Sequence, residues 1–449
     1  MTDHAVGSFR VDGTYRRHDA VVIAGSPLRL FRLSPAGQRI VEAIEQHQPL
    51  PARHGRLTDR LVEAGAIHPV HKESTFATND VTIVVPAFEA EPPLIPHDGE
   101  VIVVDDGSTP ALSTHRRPTI RLSVNRGPAA ARNAGLAEVT TSLVAFVDTD
   151  VDLDDDWLDA LLPHFNDPRV ALVAPRVLST DAPTIIGEYE SVRSPLDLGD
   201  QPARIAAGSR VSYVPGAALV VRTDMLRAIG GFDEAFRTGE DVDMVWRLIE
   251  AGHRCRYEPS SIVHHRPRST GAAWLIQRVT YGRSAAPLDR KHPGAVAPLR
   301  ISGWSAAVWA LVLMRRPVTA MGVAAGTTVA LHRKLPDIPK AESIRLAGLG
   351  HLYAGRQVAN AITRVWWPLA LVAAMFVRRL RAPLFAAATI PALLDWFGNR
   401  GSGNAAQHVA LRVVDDMAYG TGVWIGSIEQ RSLGALAPKL TNWPGRAPG

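Results

Sequence analysis

The sequence predicts an α/β domain with a mostly parallel sheet, preceded by a small N-terminal domain and followed by an apolar helical region. Two observations support this fold class. The middle of the 449-residue chain alternates apolar strand patterns with helix patterns, as expected for strands joined by crossover helices. The last third contains long apolar runs separated by arginines. We place the three regions at 1–75, 78–290 and 291–449.

The N-terminal region has the signals of two short helices beside strand-like segments. Ser34 suits an N-cap and Pro35 the first helical position, so a helix is predicted to begin there. A second helix is predicted to end at Gly65. The strand-like stretch AVVIAGSPLRLF precedes both. Together they predict a small winged-helix-like domain, which is either a structural adaptor or a peptide-binding module.

The middle region contains six apolar segments with the length of buried strands. They are 81–85, 101–105, 119–124, 143–148, 170–175 and 218–222. Helices are predicted at 128–139, 154–165, 223–231 and 240–252. Between the first two strands lies only the proline-rich segment FEAEPPLIPHDG, so a helix there must be short or missing.

Composition and charge exclude several classes of protein. The single cysteine, Cys255, excludes an intramolecular disulfide. The formal charge of +5 is modest, and no Lys/Arg run with interleaved aromatic residues occurs, so we expect no nucleic-acid partner. The N-terminus lacks the apolar core of a signal peptide, so we expect a cytoplasmic protein.

The strand at 143–148 leads directly into a cluster of carboxylates. Asp148 and Asp150 are two positions apart and point to the same face of a strand. The carboxyl ends of strands are where open α/β sheets bind ligands. Two carboxylates there suit Mn²⁺ or Mg²⁺, with substrate phosphate oxygens completing the coordination. The acids at 154–156 are instead expected to cap the helix that follows.

Two classes of enzyme place two such aspartates after an apolar strand. Phosphatases use the first as a nucleophile, but they usually need a downstream lysine, and none occurs between Lys72 and Lys291. Nucleotide-sugar glycosyltransferases use the pair for a metal ion. A non-catalytic binding protein on the same scaffold is a third alternative.

Six motifs of the middle region favour the glycosyltransferases. They are VTIVVPAFEA, EVIVVDDGST, NRGPAAARNAGL, VAFVDTDVDL, PGAALVVRTDMLRAIGGFDEAF and GEDVDMVWRLIEAG. In order and spacing this set resembles the large inverting glycosyltransferase family 2. The resemblance implies a GT-A nucleotide-sugar-binding domain and a metal-dependent hexosyltransferase that inverts the anomeric centre.

The resemblance also implies roles for individual residues. Asp241 matches the catalytic aspartate of the family, which removes the proton of the acceptor hydroxyl, and Glu240 is expected to bind acceptor. The alternative is that both acids only cap their helix. Asp148 is expected to face the ribose or the metal, and Asp150 to ligate the metal. His264, preferred over His265, is expected to be the third ligand.

Further residues are expected to bind the donor along the same crevice. The helix that follows Asn125 and Gly127 is predicted to direct its N-terminus at phosphate, and one of the acids of DDGS to contact the base. A turn-forming role for DDGS is the alternative. The predicted donor- and substrate-binding residues are Pro86, Glu89, Asp105, Asp106, Asn125, Gly127, Arg132, Asn133, Asp148 and Glu240.

Two segments on either side of the middle region narrow the resemblance to one group within the family. VVIAGSPLRLFRLSPAGQ and YGRSAAPLDRKHP are similar to segments of the mycofactocin biosynthesis glycosyltransferases. This implies transfer of glucose from a UDP-sugar to a modified peptide or the peptide-derived redox cofactor. A glycosyltransferase acting on a membrane lipid or cell-wall precursor is the alternative. Long-polymer synthesis is disfavoured, because IQRVTYGRSAAP does not match a QxxRW box.

The C-terminal region contains four apolar runs, each shorter than a bilayer-spanning helix requires. Arginines and lysines between them would suit anionic headgroups. We therefore expect association with the inner face of the cell membrane, with an ordinary helical subdomain as the alternative.

Overall fold

The computed structural model describes residues 8–51, 54–71, 73–113, 119–180, 182–398 and 404–441. The chain divides into two compact units. The sheet unit comprises Met1–Asp181 and Arg193–Pro267, and the helical unit comprises Ala182–Val192 and Arg268–Gly449.

The N-terminal part of the sheet unit combines short strands with two helices. Its strands are β1 (Ser8–Val11), β2 (Arg16–His18), β3 (Val21–Ala24), β4 (Arg29–Arg32) and β5 (Ile67–Val70), and its helices are α1 (Pro35–Glu45) and α2 (Gly55–Ala64). β1 pairs with β5, and β2, β3 and β4 form an antiparallel sheet. Ser34 accepts the Gly37 N–H at the start of α1, and Gly65 ends α2 at φ 69°. Both predicted helix boundaries are confirmed.

A large central sheet follows. Its strands are β6 (Val81–Ala87), β7 (Val101–Asp105), β8 (Thr119–Arg121), β9 (Leu143–Val147), β10 (Val151–Leu153), β11 (Val170–Ser179), β12 (Ala203–Arg204), β13 (Ala218–Arg222) and β14 (Arg254–His265). The helices in this stretch are α3 (Pro128–Glu138), α4 (Ile185–Arg193), α5 (Thr223–Ala228) and α6 (Glu240–Glu250).

The nine strands form a mixed, mostly parallel sheet. The order is β10-β14-β11-β13-β9-β6-β7-β8, with β12 also on β14. β6, β7, β8, β9, β11 and β14 run in one direction, and β10, β12 and β13 run in the other. The predicted α/β fold class is confirmed.

The core of this sheet is made by strand residues that are apolar at nearly every position. All residues of β9 are buried, as expected for a central strand covered on both faces. One face packs against Trp157, Leu161 and Phe165. This rigid centre places the end of β9, and the residues after it, at a fixed position.

Two local predictions have different outcomes. No helix lies within 88–100, as the proline-rich sequence predicts. The helix predicted at 154–165 is wrong, because turns occupy 155–161 and a 3-10 helix spans Leu162–Asn166. Pro163 has no N–H for a helical ladder, and Trp157 and Phe165 are both buried. The acids at 154–156 therefore cap no α-helix.

The helical unit contains the apolar runs of the sequence. Its helices after α4 are α7 (Gly271–Arg283), α8 (Ala285–Lys291), α9 (Gly303–Leu313), α10 (Pro317–Lys334), α11 (Lys340–Arg364), α12 (Trp367–Phe376), α13 (Arg381–Gly398) and α14 (Ala405–Glu429). β15 (Arg300–Ser302) and β16 (Lys439–Thr441) form a parallel pair. The predicted helical C-terminal region is confirmed.

Within the described residues, no single helix is both long and apolar enough to cross a bilayer. One bent pair, α11 with α12, meets the criteria of length and composition when taken together, with a bend of 86° between its helices.

Candidate active site

Three segments of the sheet unit bring charged side chains together at the carboxyl end of β9. Asp148 follows β9 directly, and Asp150 precedes β10. Glu240 and Asp241 begin α6, and Arg132 lies inside α3. Arg132 and Glu240 are 108 positions apart in the sequence yet form an ion pair. The fold thus gathers five of the predicted site residues.

The guanidinium of Arg132 is the centre of this cluster. Its side chain is 3% exposed. Nη2 donates to Asp148 Oδ1 at 2.7 Å, and Nη1 donates to Glu240 Oε1 at 2.6 Å. Because buried charge-assisted hydrogen bonds are strong and directional, Arg132 fixes both carboxylates in place. Its predicted contact with substrate phosphate stays a prediction.

Asp241 is held by the backbone at the start of α6. Its Oδ2 accepts the Gly216 N–H at 2.6 Å, and its Oδ1 accepts the Val242 N–H at 2.8 Å. Burial, reinforced by the adjacent Glu240 carboxylate, raises the pKa of Asp241 to about 7, although Arg132 and the two N–H groups oppose this. A carboxylate with such a pKa suits a general base near neutral pH.

Gly216 allows the close approach that this arrangement needs. A Cβ at this position would lie 3.0 Å from Arg132 Nη2 and 3.2 Å from Asp241 Cβ. A side chain would therefore press on both members of the cluster. Gly216 lies in the motif PGAALVVRTDMLRAIGGFDEAF, but its sequence neighbours do not indicate that it packs against Arg132 and Asp241.

Asp148 combines burial with partial access to solvent. Its side chain is 33% exposed, so a ligand can reach it. Burial raises the pKa of Asp148 to about 6, with Asp150 and Glu240 adding to the rise and Arg132 opposing it. The acids of this cluster outnumber the single arginine, so a bound cation would relieve their mutual repulsion.

Asp150 lies beside a histidine of β14. His265 Nε2 is 3.3 Å from Asp150 Oδ2. In the antiparallel pairing, Val151 is opposite His265 and Asp152 is opposite His264. Because side chains alternate along a strand, His264 is directed to the other face. His265 is therefore the histidine next to Asp150, and the role of His264 as a metal ligand stays a prediction.

These side chains are a partial donor set for a divalent cation. Two carboxylates and an imidazole suit Mn²⁺, and Mg²⁺ accepts the two carboxylates. Among the described residues, no group of three or more His, Cys, Asp and Glu side chains is close enough to hold a metal ion. The residues fit a cation whose remaining ligands come from a diphosphate.

Comparisons with known proteins identify the family of this chain. A sequence model of glycosyl transferase family group 2 matches residues 143–397. The pre-mycofactocin glycosyltransferase of Mycobacterium tuberculosis is 38% identical over 448 residues, covering 94% of each chain. The chain belongs to the family 2 glycosyltransferases. Within them it belongs to the pre-mycofactocin glycosyltransferases.

Other relatives of this glycosyltransferase are more distant. The N-acetylglucosaminyl-diphospho-decaprenol L-rhamnosyltransferase of Mycobacterium tuberculosis is 29% identical over 38% of this chain and 68% of that protein. A solved mannosyltransferase from Pyrobaculum calidifontis, in complex with GDP-Man and Mn²⁺, shares 18% identity. That comparison covers 64% of this chain and 88% of the mannosyltransferase, with a TM-score of 0.35.

The acids after β7 of this glycosyltransferase make hydrogen bonds within the protein. Asp105 accepts the Ser108 N–H at 2.8 Å, and hydrogen bonds from Ser108 and Leu112 lower the pKa of Asp105 despite its burial. Asp106 accepts the N–H groups of Arg126 and Gly127, both at 2.8 Å. These hydrogen bonds support the interpretation that DDGS forms a turn. Contact of either acid with the base stays a prediction.

The loop before α3 is shaped by Asp106 and by Gly127. Gly127 has φ 96°, which favours glycine, and a Cβ there would lie 3.1 Å from Arg237. Asn125 Oδ1 accepts from Arg237 at 3.3 Å. Asp106 therefore positions the start of α3, where phosphate binding was predicted.

The structure also shows where the three remaining predicted residues lie. Asn133 donates to the Phe232 carbonyl at 2.8 Å and accepts the Phe232 N–H at 2.8 Å, so it connects α3 to the loop after α5. Pro86 lies near the end of β6. Glu89 has φ 52°, and its N–H donates to Ser108 Oγ. Their predicted contacts with substrate stay predictions.

Proposed function

We propose that this glycosyltransferase moves a hexose, with glucose expected, from a UDP-sugar to pre-mycofactocin or the cofactor derived from it, with inversion of configuration. The observation that carries the proposal is the placement of Asp241. It is held beside the cluster of Arg132, Asp148 and Glu240 with a pKa raised to about 7. An inverting transfer needs one such base and one site for the departing diphosphate.

Asp241 acts on the acceptor. Its carboxylate takes the proton of the acceptor hydroxyl as the hydroxyl oxygen bonds to the anomeric carbon and the bond to the diphosphate breaks. The Gly216 and Val242 N–H groups hold the carboxylate in one orientation, which limits the motion that would weaken proton transfer. Glu240, paired with Arg132, lies next to it as the expected acceptor contact.

Asp148, Asp150 and His265 would each be available to a divalent cation whose coordination the diphosphate of the donor would complete. Such a cation supplies positive charge to the departing diphosphate. Arg132 maintains Asp148 in position through its 2.7 Å hydrogen bond. The arrangement of carboxylates around one arginine, with His265 at 3.3 Å from Asp150, supports this role.

The acceptor assignment comes from the relative in Mycobacterium tuberculosis. The name of that enzyme gives pre-mycofactocin as the acceptor, and the match covers 94% of both chains. The alignment includes the N-terminal region with α1 and α2, which we propose contributes to recognition of the modified peptide.

The test is an assay of UDP release by the purified full-length chain. Reactions contain UDP-glucose, with and without Mn²⁺, and either pre-mycofactocin, a polyprenyl-phosphate lipid or no acceptor. We expect release of UDP and a glucosylated product only with Mn²⁺ and pre-mycofactocin, and a β-linked product by NMR from the α-linked donor.

Two outcomes would contradict the proposal. Transfer only to the lipid would assign the chain to membrane-lipid glycosylation. Release of inorganic phosphate from phosphate esters without UDP release would favour the phosphatase alternative. A UDP-galactose arm serves as the control for the sugar, since a site for glucose should use it poorly.

A further inference from the structure

The helical unit exposes an apolar helix to solvent. α12 has no charged residue, and none of its side chains is buried. Phe376 is 81% exposed and Met375 is 71% exposed. We define the α12 tip as the exposed residues Leu369, Leu371, Val372, Met375, Phe376 and Val377. A helix that is apolar on all sides is normally covered by protein or by lipid.

Arginines follow the α12 tip without a gap. Arg378 and Arg379 are exposed. Arg381 Nε donates to the Ala374 carbonyl at 2.9 Å, which holds a third guanidinium against the end of α12. Cations here complement the negative end of the helix dipole. They also place positive charge directly beside exposed apolar side chains.

The same combination occurs at the turn between α9 and α10. Met314, Val318 and Met321 are 61%, 76% and 65% exposed, and Arg315 and Arg316 lie among them, also exposed. Apolar side chains flanked by arginines thus occur at two turns of one unit. Two separate places with this combination suit an extended partner that is anionic at its surface and apolar inside. A pocket on a single protein partner would be matched by only one such place.

We propose that the α12 tip inserts into the interface of an anionic lipid bilayer, with Arg378 and Arg379 on the headgroup phosphates. A ten-residue helix is about 15 Å long, about half of the hydrocarbon thickness, so it suits shallow insertion. Exposed apolar side chains beside arginines are the features of interfacial segments. This proposal does not depend on which sugar is transferred or on which acceptor receives it.

The single cysteine of the chain makes a direct test possible. Cys255 is buried, so a cysteine introduced by Phe376→Cys is the reactive thiol for an environment-sensitive fluorophore. Vesicles of phosphatidylcholine with phosphatidylglycerol should shift the label's emission to the blue. Vesicles of phosphatidylcholine alone should shift it much less. The matched control is Leu433→Cys, since Leu433 is 73% exposed in the same unit, and its label should not respond.

Cosedimentation with the same vesicles gives a second measurement. Met375→Ser with Phe376→Ser should lower the bound fraction about fivefold or more, and Arg378→Gln with Arg379→Gln should remove the preference for anionic lipid. An unchanged label at 376, or an equal response at 433, would overturn the proposal. So would a blue shift that appears without vesicles as protein concentration rises, which would assign the α12 tip to a contact between copies of the chain.

Discussion

Asp12 in the N-terminal part and Asp241 at the candidate active site are two carboxylates of the sheet unit whose pKa values shift in opposite directions. Burial opposes ionisation of both. Asp12 accepts from Thr14 Oγ1 at 2.6 Å, from the Thr14 N–H at 2.9 Å and from His68 Nε2 at 3.0 Å. These hydrogen bonds hold the pKa of Asp12 well below its usual range.

The pKa values of the two carboxylates shift in opposite directions because the charges near them differ. Arg210 is 3.4 Å from Asp12, and Arg256 donates to the other ring nitrogen of His68, which leaves the His68 Nε2–H for Asp12. Asp241 instead has Glu240 as its neighbour, and Arg132 is already shared with Asp148. Surplus negative charge thus distinguishes Asp241 from Asp12, whose hydrogen bonds and neighbouring arginine stabilise its ionised form within the fold.

Replacing Asp241 by Asn should have the largest effect on transfer. Asn keeps the shape of the side chain but cannot accept the acceptor proton, so kcat should fall by roughly a thousandfold or more. Affinity for the UDP-sugar with Mn²⁺, measured by calorimetry, should change less than about threefold. Loss of donor affinity with intact kcat would assign Asp241 to the donor instead.

The pH profile of the wild-type chain gives a second readout of the same assignment. The base must be ionised, and the pKa of Asp241 is about 7, so kcat/KM should rise about tenfold from pH 6 to pH 8. The residual activity of Asp241→Asn should lack this rise. A wild-type rate that is highest at pH 5 would be incompatible with Asp241 as the base.

The two neighbouring histidines should differ by a smaller factor. His265→Ala should weaken Mn²⁺-dependent donor binding roughly 10- to 100-fold, as expected for loss of a ligand or of its support. His264→Ala, directed to the opposite face of β14, should change it less than about twofold. Donor binding in EDTA serves as the control and should be equal for both variants. The reverse order would support His264 as the ligand, as the sequence predicts.

Local patterns predicted much of this site, and tertiary pairing decided the rest. The apolar runs and residue spacing predict β9, the start of α6, and the pair Asp148 and Asp150, and the family resemblance adds Asp241. The choice between His264 and His265 depends on the register of β10 against β14, which a single strand sequence does not encode. The sequence around Arg132 does not indicate which carboxylates it binds, because Glu240 is 108 positions away.

The same limit applies to residues expected to contact substrate. Asp106 and Asn133 lie in motifs that resemble donor-binding segments, yet their side chains bind backbone groups of Gly127 and Phe232. A residue in such a motif can therefore hold the backbone in place as well as contact the substrate. The helix predicted at 154–165 failed for a related reason, since burial of Trp157 and Phe165 on the sheet decided the local backbone.

Replacing Asp12 by Asn should have the smallest effect on transfer and a clear effect on stability. The variant removes the carboxylate that pairs with Arg210 and accepts from His68 Nε2, which should cost roughly 2–3 kcal/mol of unfolding free energy. Urea denaturation followed by fluorescence measures this loss, and kcat of the folded variant should be unchanged. Asp59→Asn is the matched control, because Asp59 is 41% exposed and pairs with Arg169 at the surface, so its loss should stay within about 1 kcal/mol. If Asp12→Asn instead lowered kcat while leaving the urea midpoint in place, a carboxylate with satisfied partners would be functional, and charge imbalance would no longer distinguish the two sites.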